Sequence, residues 1–253
     1  MTLLSIDDFH FKGTRERFGN GEYLVTLDGW EDGVSMRRSS QPIPQNHGDF
    51  DVPTFMEGRT VNFTADAYAR NPMELAHRGH GFTALLAQGT SRMVTIELDG
   101  QTLWGMARRG NAAPRWRRAP GGVDLARASM ELFFPNPRKF GESRVFTGAA
   151  PVAFHYGNFP ATPVFTVTGS APAGYTINLS AGKQYTVTVP LASGVPHVID
   201  MADGYLRING LIVSNSVGRA DLLAIPGGAS VAVSVTPVSG TASLSVLLLD
   251  TFM

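Results

Sequence analysis

The alternation of apolar and polar positions is clearest between residues 121 and 134. Side chains that alternate with a period of two lie on opposite faces of a β-strand, so this stretch is predicted to bury one face. The predicted inward row holds Ala128, Met130, Leu132 and Phe134. Pro135 and Pro137 follow, and because a proline nitrogen cannot donate to a strand ladder, they end the strand. We interpret it as the last strand of a first domain.

The same alternation predicts further strands upstream. They cover residues 22–27 and 60–64, and a hairpin is predicted from residues 92–98 and 101–106. The hairpin turn is Asp99-Gly100, whose glycine suits the positive φ of a tight turn. Residues 39–51 are polar and contain prolines, which is typical of an irregular, exposed loop.

One amphipathic helix is predicted, beginning at Asn71 and ending at Gly89. The Asn71 side chain suits the cap, Pro72 suits the first helical position, and Glu74 is placed to reach back to the cap amide. An apolar stripe at helical spacing is formed by Leu75, Gly79, Phe82 and Leu86. The helix is therefore expected to pack on a sheet.

The composition changes after Tyr156. The chain has 21 Lys and Arg and 21 Asp and Glu, but only seven of these charged residues follow Tyr156. Short apolar runs separated by Gly, Pro, Asn or Ser predict strands over residues 163–168, 175–179, 184–189, 197–201, 205–208, 211–213, 221–224, 230–235 and 242–249. Short strands at this spacing indicate an antiparallel β-sandwich.

The predicted fold class is therefore mainly β, in two domains. Residues 1–145 are expected to form an α+β domain with one helix packed on a β-sheet, residues 146–156 a linker, and residues 157–253 the sandwich. Each of the two domains is long enough to bury its own core.

Composition excludes several function classes. The formal net charge is zero, which argues against a general nucleic-acid-binding or membrane-binding surface. Cysteine is absent, which excludes disulfides, thiolate metal sites and cysteine nucleophiles. Because the N-terminus lacks signal-peptide features and no apolar run approaches a membrane-spanning length, we expect neither signal-peptide export nor direct membrane insertion.

The usual catalytic motifs are absent from the sequence. There is no Gly-x-Ser-x-Gly elbow, no His-Glu-x-x-His pair and no phosphate-binding glycine-rich loop before a helix. His77 and His80 lie three residues apart on the predicted helix, but two histidines supply too few ligands for a stable zinc site. We predict no catalytic residue, no metal and no cofactor.

A basic cluster lies in a stretch predicted to be a loop. It consists of Arg108, Arg109, Arg115, Arg117 and Arg118, with Trp116 among them. Such a cluster can follow a nucleic-acid backbone, or it can pair with carboxylates of a neighbouring subunit. The neutral balance of the chain favours a subunit contact, and DNA contact stays as the alternative.

A sugar site in the second domain lacks its usual aromatic platform. All three tryptophans, Trp30, Trp104 and Trp116, lie in the first domain. Tyr175, Tyr185 and Tyr205 are the available substitutes, but alternating tyrosines in strands more often pack in cores or at edges.

An ordered series of motifs resembles one protein family. The strand ending in Asn136-Pro137-Arg138-Lys139-Phe140 is preceded by Trp30-x-x-Gly33, by His47-Gly48 in the irregular loop, and by Gly58-Arg59 entering a strand. This series is similar to the distal tail protein (Dit) family of long-tailed bacteriophages, the siphophages. The family commonly has an aspartate at the position of Asn136.

The resemblance implies a structural virion protein and not an enzyme. It implies a hexameric ring at the tail tip that joins the tail tube to the baseplate hub, with a galectin-like C-terminal sandwich. The implied partners are further copies of the chain, the tail tube protein, the tail-associated hub protein, the tape measure protein and, in transit only, DNA. The implied location is the virion tail tip, after assembly in the host cytoplasm.

Several residues are candidates for contacts in such a ring. They are Arg59, Arg108, Arg109, Trp116, Arg117 and Arg138. Trp30 and Phe140 are also candidates but are expected in the core, and residues 39–51 correspond in position to the family's loop that reaches a neighbouring subunit. The alternative function is a receptor- or carbohydrate-binding tail module, and a third is a glycan-cleaving tail enzyme.

Overall fold

The computed structural model describes residues 3–13, 19–121 and 124–253. The chain divides into two compact units, Met1–Lys139 with Met253, and Phe140–Phe252. The described residues are mainly β with one α-helix, so the predicted fold class is confirmed. Residues 146–156, the expected linker, contain the end of one strand and the whole of another. The domain limits expected from the sequence stay a prediction.

The first unit contains ten strands and the helix among its described residues. They are β1 Leu3–Ile6, β2 Phe9–Lys12, β3 Gly21–Asp28, β4 Met36–Arg37, β5 Phe55–Met56, β6 Arg59–Tyr68, α1 Pro72–Ala84, β7 Arg92–Leu98, β8 Gln101–Arg109, β9 Arg115–Arg118 and β10 Leu125–Phe134. The start of the strand predicted from residue 121 includes Gly122 and Val123, which lie outside the described residues.

The main sheet of the first unit closes on itself. Its strands run in the order β8-β7-β1-β2-β3-β6-β10, and β10 pairs back onto β8. The closing pairs are Leu132 with Arg109 and Phe133 with Arg108. Strand β9 pairs with β10 on the edge of β10 that also pairs with β8. The other edge of β9 has no described partner strand. Closure removes the free edges that an open sheet exposes.

The alternating residues of the strands meet inside this closed sheet. Ala128, Met130, Leu132 and Phe134 are buried, as predicted. The phenylalanine rings of Phe11 and Phe63 lie 4.9 Å apart in an edge-to-face arrangement, a geometry that aromatic pairs prefer. The fold of the first unit thus follows from rows of side chains with a period of two.

Helix α1 packs on the sheet through Leu75, Gly79 and Phe82. Phe82 contacts the rings of Phe11 and Phe63, with centroids 6.1 and 6.4 Å away. Gly79 is required beside Trp116, because a Cβ at that position would lie 2.8 Å from the indole Nε1. The predicted apolar stripe is therefore the packing face.

The two ends of the helix differ in part from the prediction. Asn71 Oδ1 accepts from the Glu74 N–H at 2.9 Å, but Glu74 reaches the N–H of Arg70 and not that of the cap residue. The helix ends at Ala84, before Gly89, because the cap residue Leu85 has a non-helical ψ of 130° and Leu86 follows it with a left-handed φ of 56°. A residue in this conformation cannot continue a right-handed helix.

The second unit is an antiparallel sandwich. Its elements are β11 Lys139–Gly148, β12 Val152–Phe154, β13 Val164–Ser170, β14 Tyr175–Asn178, β15 Gln184–Val187, β16 His197–Asp200, β17 Tyr205–Ile208, β18 Leu211–Ile212, β19 Val217–Ala220, β20 Ser230–Ala232, β21 Ser234–Pro237 and β22 Thr241–Phe252, with a short 3₁₀ turn at Ser180–Gly182. One sheet has the order β18-β17-β16-β13-β22-β11, a second has β19-β15-β14-β21, and β12 pairs with β20.

The core of the second unit lies between these sheets. It includes Phe165, Val167, Tyr175, Ile177, Tyr185, Ile199 and Leu244. One predicted strand is wrong: residues 221–224 are not in a strand, and the preceding Val217–Ala220 pairs with β15 instead. A local apolar run does not identify which neighbouring residues pair across the sheet.

Candidate functional site

Metal ligands do not cluster in the described part of the chain. No group of three or more His, Cys, Asp or Glu among those residues is placed to hold a metal ion. His77 and His80 are both exposed on α1. Within the same ranges, none of the helical segments is long and apolar enough to cross a membrane. The candidate sites are therefore surfaces.

The first surface is a long hairpin, residues 34–58, which we call the arm. Strand β4 pairs with β5 through Met36–Met56 and Arg37–Phe55. Further out, the Phe50 N–H donates to Gln41 O at 2.9 Å. The loop predicted over residues 39–51 is thus the outer part of a hairpin and is less irregular than expected.

The arm has no core of its own. None of the residues 34–58, all of which the structure describes, is buried. Phe55 is 63% exposed, and Phe50 and Met36 are about half exposed. A two-stranded hairpin is only marginally stable in water, and large exposed apolar side chains are typical of surfaces that another molecule covers.

Arg59 lies at the base of the arm and is buried. Its Nη1 donates to the carbonyl oxygens of Gly29, Trp30 and Asp32, at 2.9, 3.0 and 2.7 Å. Its Nε donates to Pro137 O at 3.2 Å. Arg59 thus ties the turn after β3 to the chain after β10, and its predicted contact with another subunit stays a prediction.

Lys139 is a second buried cation at the same turn. Its Nζ donates to Trp30 O at 3.1 Å and lies 5.6 Å from the centroid of the Trp30 ring. Burial lowers the pKa of Lys139, and the nearby Arg59 guanidinium lowers it further. Burial also lowers the pKa of Arg59, against the attraction of Asp32. The buried Trp30 ring belongs to the core, as expected.

The second surface is the outer face of β9 and β10. The predicted loop over residues 108–118 is wrong for both ends, because Arg108 and Arg109 lie in β8 and Arg115–Arg118 form β9. Arg117 stands directly opposite Arg127 on β10. Arg127 binds Asp66 through two contacts of 2.8 and 3.1 Å.

Arg115 and Arg117 are both exposed on this outer face. We call these two residues of β9 the arginine edge. The Asp66 carboxylate is already bound by Arg127, so the row Asp66-Arg127-Arg117 carries one more positive than negative charge. Charged side chains on an edge strand prevent indiscriminate pairing, and they also suit an acidic partner.

The other basic residues have different surroundings. Arg109 Nη2 donates to the carbonyl oxygens of Thr83 and Leu85 at the C-terminal end of α1. The helix dipole stabilises a cation at this end. Arg108 Nε donates to Ser91 Oγ at 3.0 Å. Arg138 is exposed, and its backbone N–H donates to Asn136 Oδ1 at 3.2 Å.

Trp116 packs inward beneath the helix. Its ring lies 5.7 Å from that of Phe82, and it is half-buried. The structure therefore separates the candidate residues: Arg59, Arg109 and Trp116 hold the first unit together, whereas Arg108, Arg117 and Arg138 are exposed. Whether any of the six contacts another subunit stays a prediction. Phe140 is half-buried.

The tyrosines of the second unit are placed differently from one another. Tyr175 and Tyr185 are fully buried. Burial raises the pKa of both hydroxyls, and that of Tyr185 rises to about 12. Tyr205 is 53% exposed, and Tyr156 is 59% exposed. Tyr156 was missed by sequence reasoning because it ends the expected linker, where no periodic pattern drew attention to it.

Comparison with known proteins concerns the fold. No protein-family model and no curated protein sequence matches the chain. Among solved structures it is similar to SPP1 Dit (gp 19.1), described as a paradigm of the hub adsorption apparatus in phages that infect Gram-positive bacteria. The sequence identity is 13%, 100% of both chains is covered, and the TM-score is 0.77.

A second similar structure is a chain of the phage P2 baseplate in its activated conformation with Ca, with 7% identity, 98% of both chains covered and a TM-score of 0.51. At these identities the likeness describes the course of the chain and not the conservation of individual residues. Over its whole length, the chain has the fold of a phage distal tail protein (Dit), the family that its sequence resembles.

Proposed function

We propose that this protein is a structural subunit of a phage tail, located in the virion at the tail tip and assembled in the host cytoplasm. The observation that supports this most is the likeness to SPP1 Dit over 100% of both chains, because a match across both units is more specific than a match to a single sandwich. The resemblance of the motifs around Trp30, Arg59 and Asn136 supports the same function.

The proposed role is that of an adaptor. Copies of the chain form a closed hexameric ring that joins the tail tube protein to the tail-associated hub protein, and the tape measure protein and then DNA pass through its lumen. Contacts between unlike surfaces of identical subunits produce a ring when the rotation between copies closes. The zero net charge suits a channel that must release DNA and not bind it.

The arm supports this role because its exposed side chains need a partner. In the ring, the arm of one copy packs on the next, which removes Phe50 and Phe55 from water. Burying apolar surface stabilises the assembly by about 25 cal/mol for each Å² removed from water. The arginine edge supplies a second contact, with carboxylates of a neighbour.

The adaptor role involves no catalysis, no cofactor and no direct membrane insertion. Its partners are other copies of the chain and the tail proteins that flank the ring. The sandwich of the second unit is proposed to be galectin-like and to dock other tail proteins.

Electron microscopy tests the proposal. The purified chain is imaged alone and after mixing with the tail tube and hub proteins encoded beside it, and the tube protein alone serves as the control. A closed ring of six subunits at the end of the tube is the expected result. A chain that stays monomeric in all mixtures and never joins the tube contradicts the adaptor role.

A further inference from the structure

A group of five side chains in the second unit consists of the exposed Tyr156 and four residues around it. The members lie on β11, on β12, after β12, and on β22. They are Glu142, Arg144, Phe154, Tyr156 and Asp250. We call this group the tyrosine platform, and all of its members belong to one compact unit.

The ring of Tyr156 is held in one orientation. The Arg144 guanidinium carbon lies 3.9 Å from the centroid of the ring, within the distance of a cation–π contact. The Phe154 ring meets it edge to face, with centroids 4.4 Å apart and planes at 70°. The Tyr156 backbone N–H donates to Asp250 Oδ1 at 3.0 Å.

The groups that hold the ring are themselves fixed. Arg144 Nη1 lies 2.8 Å from Asp250 Oδ2, and Nη2 lies 2.7 Å from Glu142 Oε2. Asp250 is buried, so its carboxylate holds both Arg144 and the Tyr156 backbone from inside the unit. Two further side chains thus keep the cation in place against the ring.

This orientation is not explained by packing of the ring itself. Tyr156 is 59% exposed, so most of its apolar surface remains in water, although several groups restrict its rotation. Fixing an exposed side chain costs conformational entropy. A side chain that is already ordered loses less entropy when a ligand binds, which is how preorganised sites gain affinity.

The charges beside the ring define the chemical class of ligand. The platform holds one cation, Arg144, and two carboxylates, Glu142 and Asp250, so its balance is negative by one. A phosphate- or carboxylate-rich polymer is therefore disfavoured. An apolar ring next to a guanidinium and an exposed carboxylate suits a molecule with one C–H face and a rim of hydroxyl groups.

We propose that the tyrosine platform binds a neutral or amino-substituted pyranose of a glycan. The C–H face of the sugar stacks on the open part of the Tyr156 ring, and its hydroxyl groups bond to the exposed Glu142 carboxylate and to the edge of Arg144. A protein partner is less suited, because a protein docking site needs a contiguous apolar patch of several hundred Å². The apolar groups on this face of β12 are fewer: the Tyr156 ring, the Phe154 ring packed against it and the exposed Val152. The charged groups of Glu142 and Arg144 lie beside them.

Sugar binding at the tyrosine platform does not require ring formation. If the platform binds no sugar, the proposed adaptor function is unaffected. A single stacked sugar binds weakly, but several platforms on one assembly reinforce one another by raising the effective concentration of the glycan. The class of function is adhesion to a glycan surface by the same protein that builds the tail tip.

The test is ligand-observed saturation-transfer NMR on the full chain. The probes are methyl β-glucoside, methyl β-galactoside, N-acetylglucosamine and glucosamine, each at about 10 mM, because a weak site is expected. We expect at least one neutral or amino sugar to receive saturation at its ring C–H protons, and glucuronate to bind more weakly than that sugar.

Matched variants assign the signal to the platform. Tyr156→Ala is expected to weaken binding by about tenfold, whereas Tyr156→Phe keeps the ring and retains binding. The alanine variant should fold, because Asp250 accepts from the backbone N–H, which alanine keeps. Tyr205→Ala, which removes the other exposed tyrosine of this unit, is the control and should bind as the unmodified chain does.

Three results contradict the proposal. The first is a chain that binds none of the probes, and the second is a Tyr156→Ala variant that binds as well as the unmodified chain. The third is a preference for glucuronate over the neutral sugars, which shows that the charge argument is wrong.

Discussion

Arg59 and Lys139 donate to the same carbonyl oxygen, that of Trp30, at 3.0 and 3.1 Å. Two cations buried at one acceptor repel each other, and the repulsion is offset by further acceptors around Arg59: the carbonyls of Gly29, Asp32 and Pro137. The turn that begins the arm is therefore held by hydrogen bonds to charged donors, which are stronger than those between neutral groups.

Removing the Arg59 guanidinium should destabilise the first unit strongly. Arg59→Met leaves four carbonyl oxygens without this donor, so the free energy of unfolding should fall by about 3 kcal/mol. Lys139→Met removes one such contact and relieves the repulsion, so it should cost about 1 kcal/mol or less. Urea denaturation of both variants measures the difference, and equal losses contradict this account.

The ion pair between Glu22 and Arg78 should hold helix α1 on the sheet. Arg78 Nη1 lies 3.0 Å from both oxygens of the largely buried Glu22 carboxylate. Arg78→Met leaves a buried carboxylate unpaired and should cost about 3 kcal/mol. The double variant Glu22→Leu with Arg78→Met should be more stable than Arg78→Met alone. Thermal unfolding measures the three variants. If the loss of stability in the double variant equals the sum of the losses in the two single variants, the two residues are not coupled.

A charge reversal at Arg117 separates folding from assembly. Because Arg117 lies opposite Arg127, Arg117→Glu replaces a like-charge pair by an opposite-charge pair and should stabilise the isolated chain by about 0.5 kcal/mol. If the arginine edge contacts carboxylates of a neighbour, the same variant should form fewer rings. Thermal unfolding and electron microscopy are compared, with a Lys12→Glu variant at an exposed position outside the candidate contacts as the control for general charge effects. Normal ring formation excludes Arg117 from the contact.

Polar substitutions in the arm should abolish assembly and leave the fold intact. Phe50→Ser with Phe55→Ser removes exposed side chains, so the free energy of unfolding should change by less than about 0.5 kcal/mol for each site. Ring formation should fall sharply, because the apolar contact is lost. Val238→Ser, at another exposed apolar site outside the arm, is the control. Unchanged rings in sedimentation velocity show that the arm does not join subunits.

Acid should destabilise the second unit through His197. His197 is buried, Nδ1 lies 3.1 Å from Tyr175 Oη, and burial lowers the pKa of His197 from its usual 6.5. A lowered pKa in the folded state means that the unfolded chain binds the proton more readily. The stability from this group is therefore complete above about pH 6.5 and is lost as the pH falls below that value.

Urea denaturation at several pH values between 7.5 and 5.5 measures the effect. His197→Gln keeps a hydrogen-bonding side chain without a titrating group, so its stability should depend less on pH than that of the unmodified chain. If the His197→Gln variant and the unmodified chain show the same pH dependence of stability, a group other than His197 causes it.

Strands and the helix were predictable where the pattern is local. The burial of alternate residues from Ala128 to Phe134 and the end of β10 before Pro135 follow from side-chain period and proline chemistry. The hairpin around Asp99-Gly100 likewise follows from its turn, in which both residues have positive φ. The end of α1 was placed too late because the left-handed Leu86 gives no signal in composition.

The candidate surfaces were only partly predictable. The basic residues around Arg117 were found by composition, but their strand was not, because β9 exists through pairing with β10 and not through its own apolar pattern. Arg59 was singled out, yet its acceptors lie 27 to 78 residues away along the chain. Tyr156 was overlooked, since its platform joins residues as far apart as 142 and 250.

The sequence by itself determined the two regions of different composition, the period-two rows of the sheets, the apolar face of the helix and the family that the motifs resemble. Only the tertiary structure decided that β8 and β10 close the first sheet, that Arg59 and Lys139 share one carbonyl, and that Arg144 lies against Tyr156. The reason is physical: side-chain period and turn chemistry act between near neighbours, whereas strand closure and buried polar contacts depend on which distant segments the whole fold brings together.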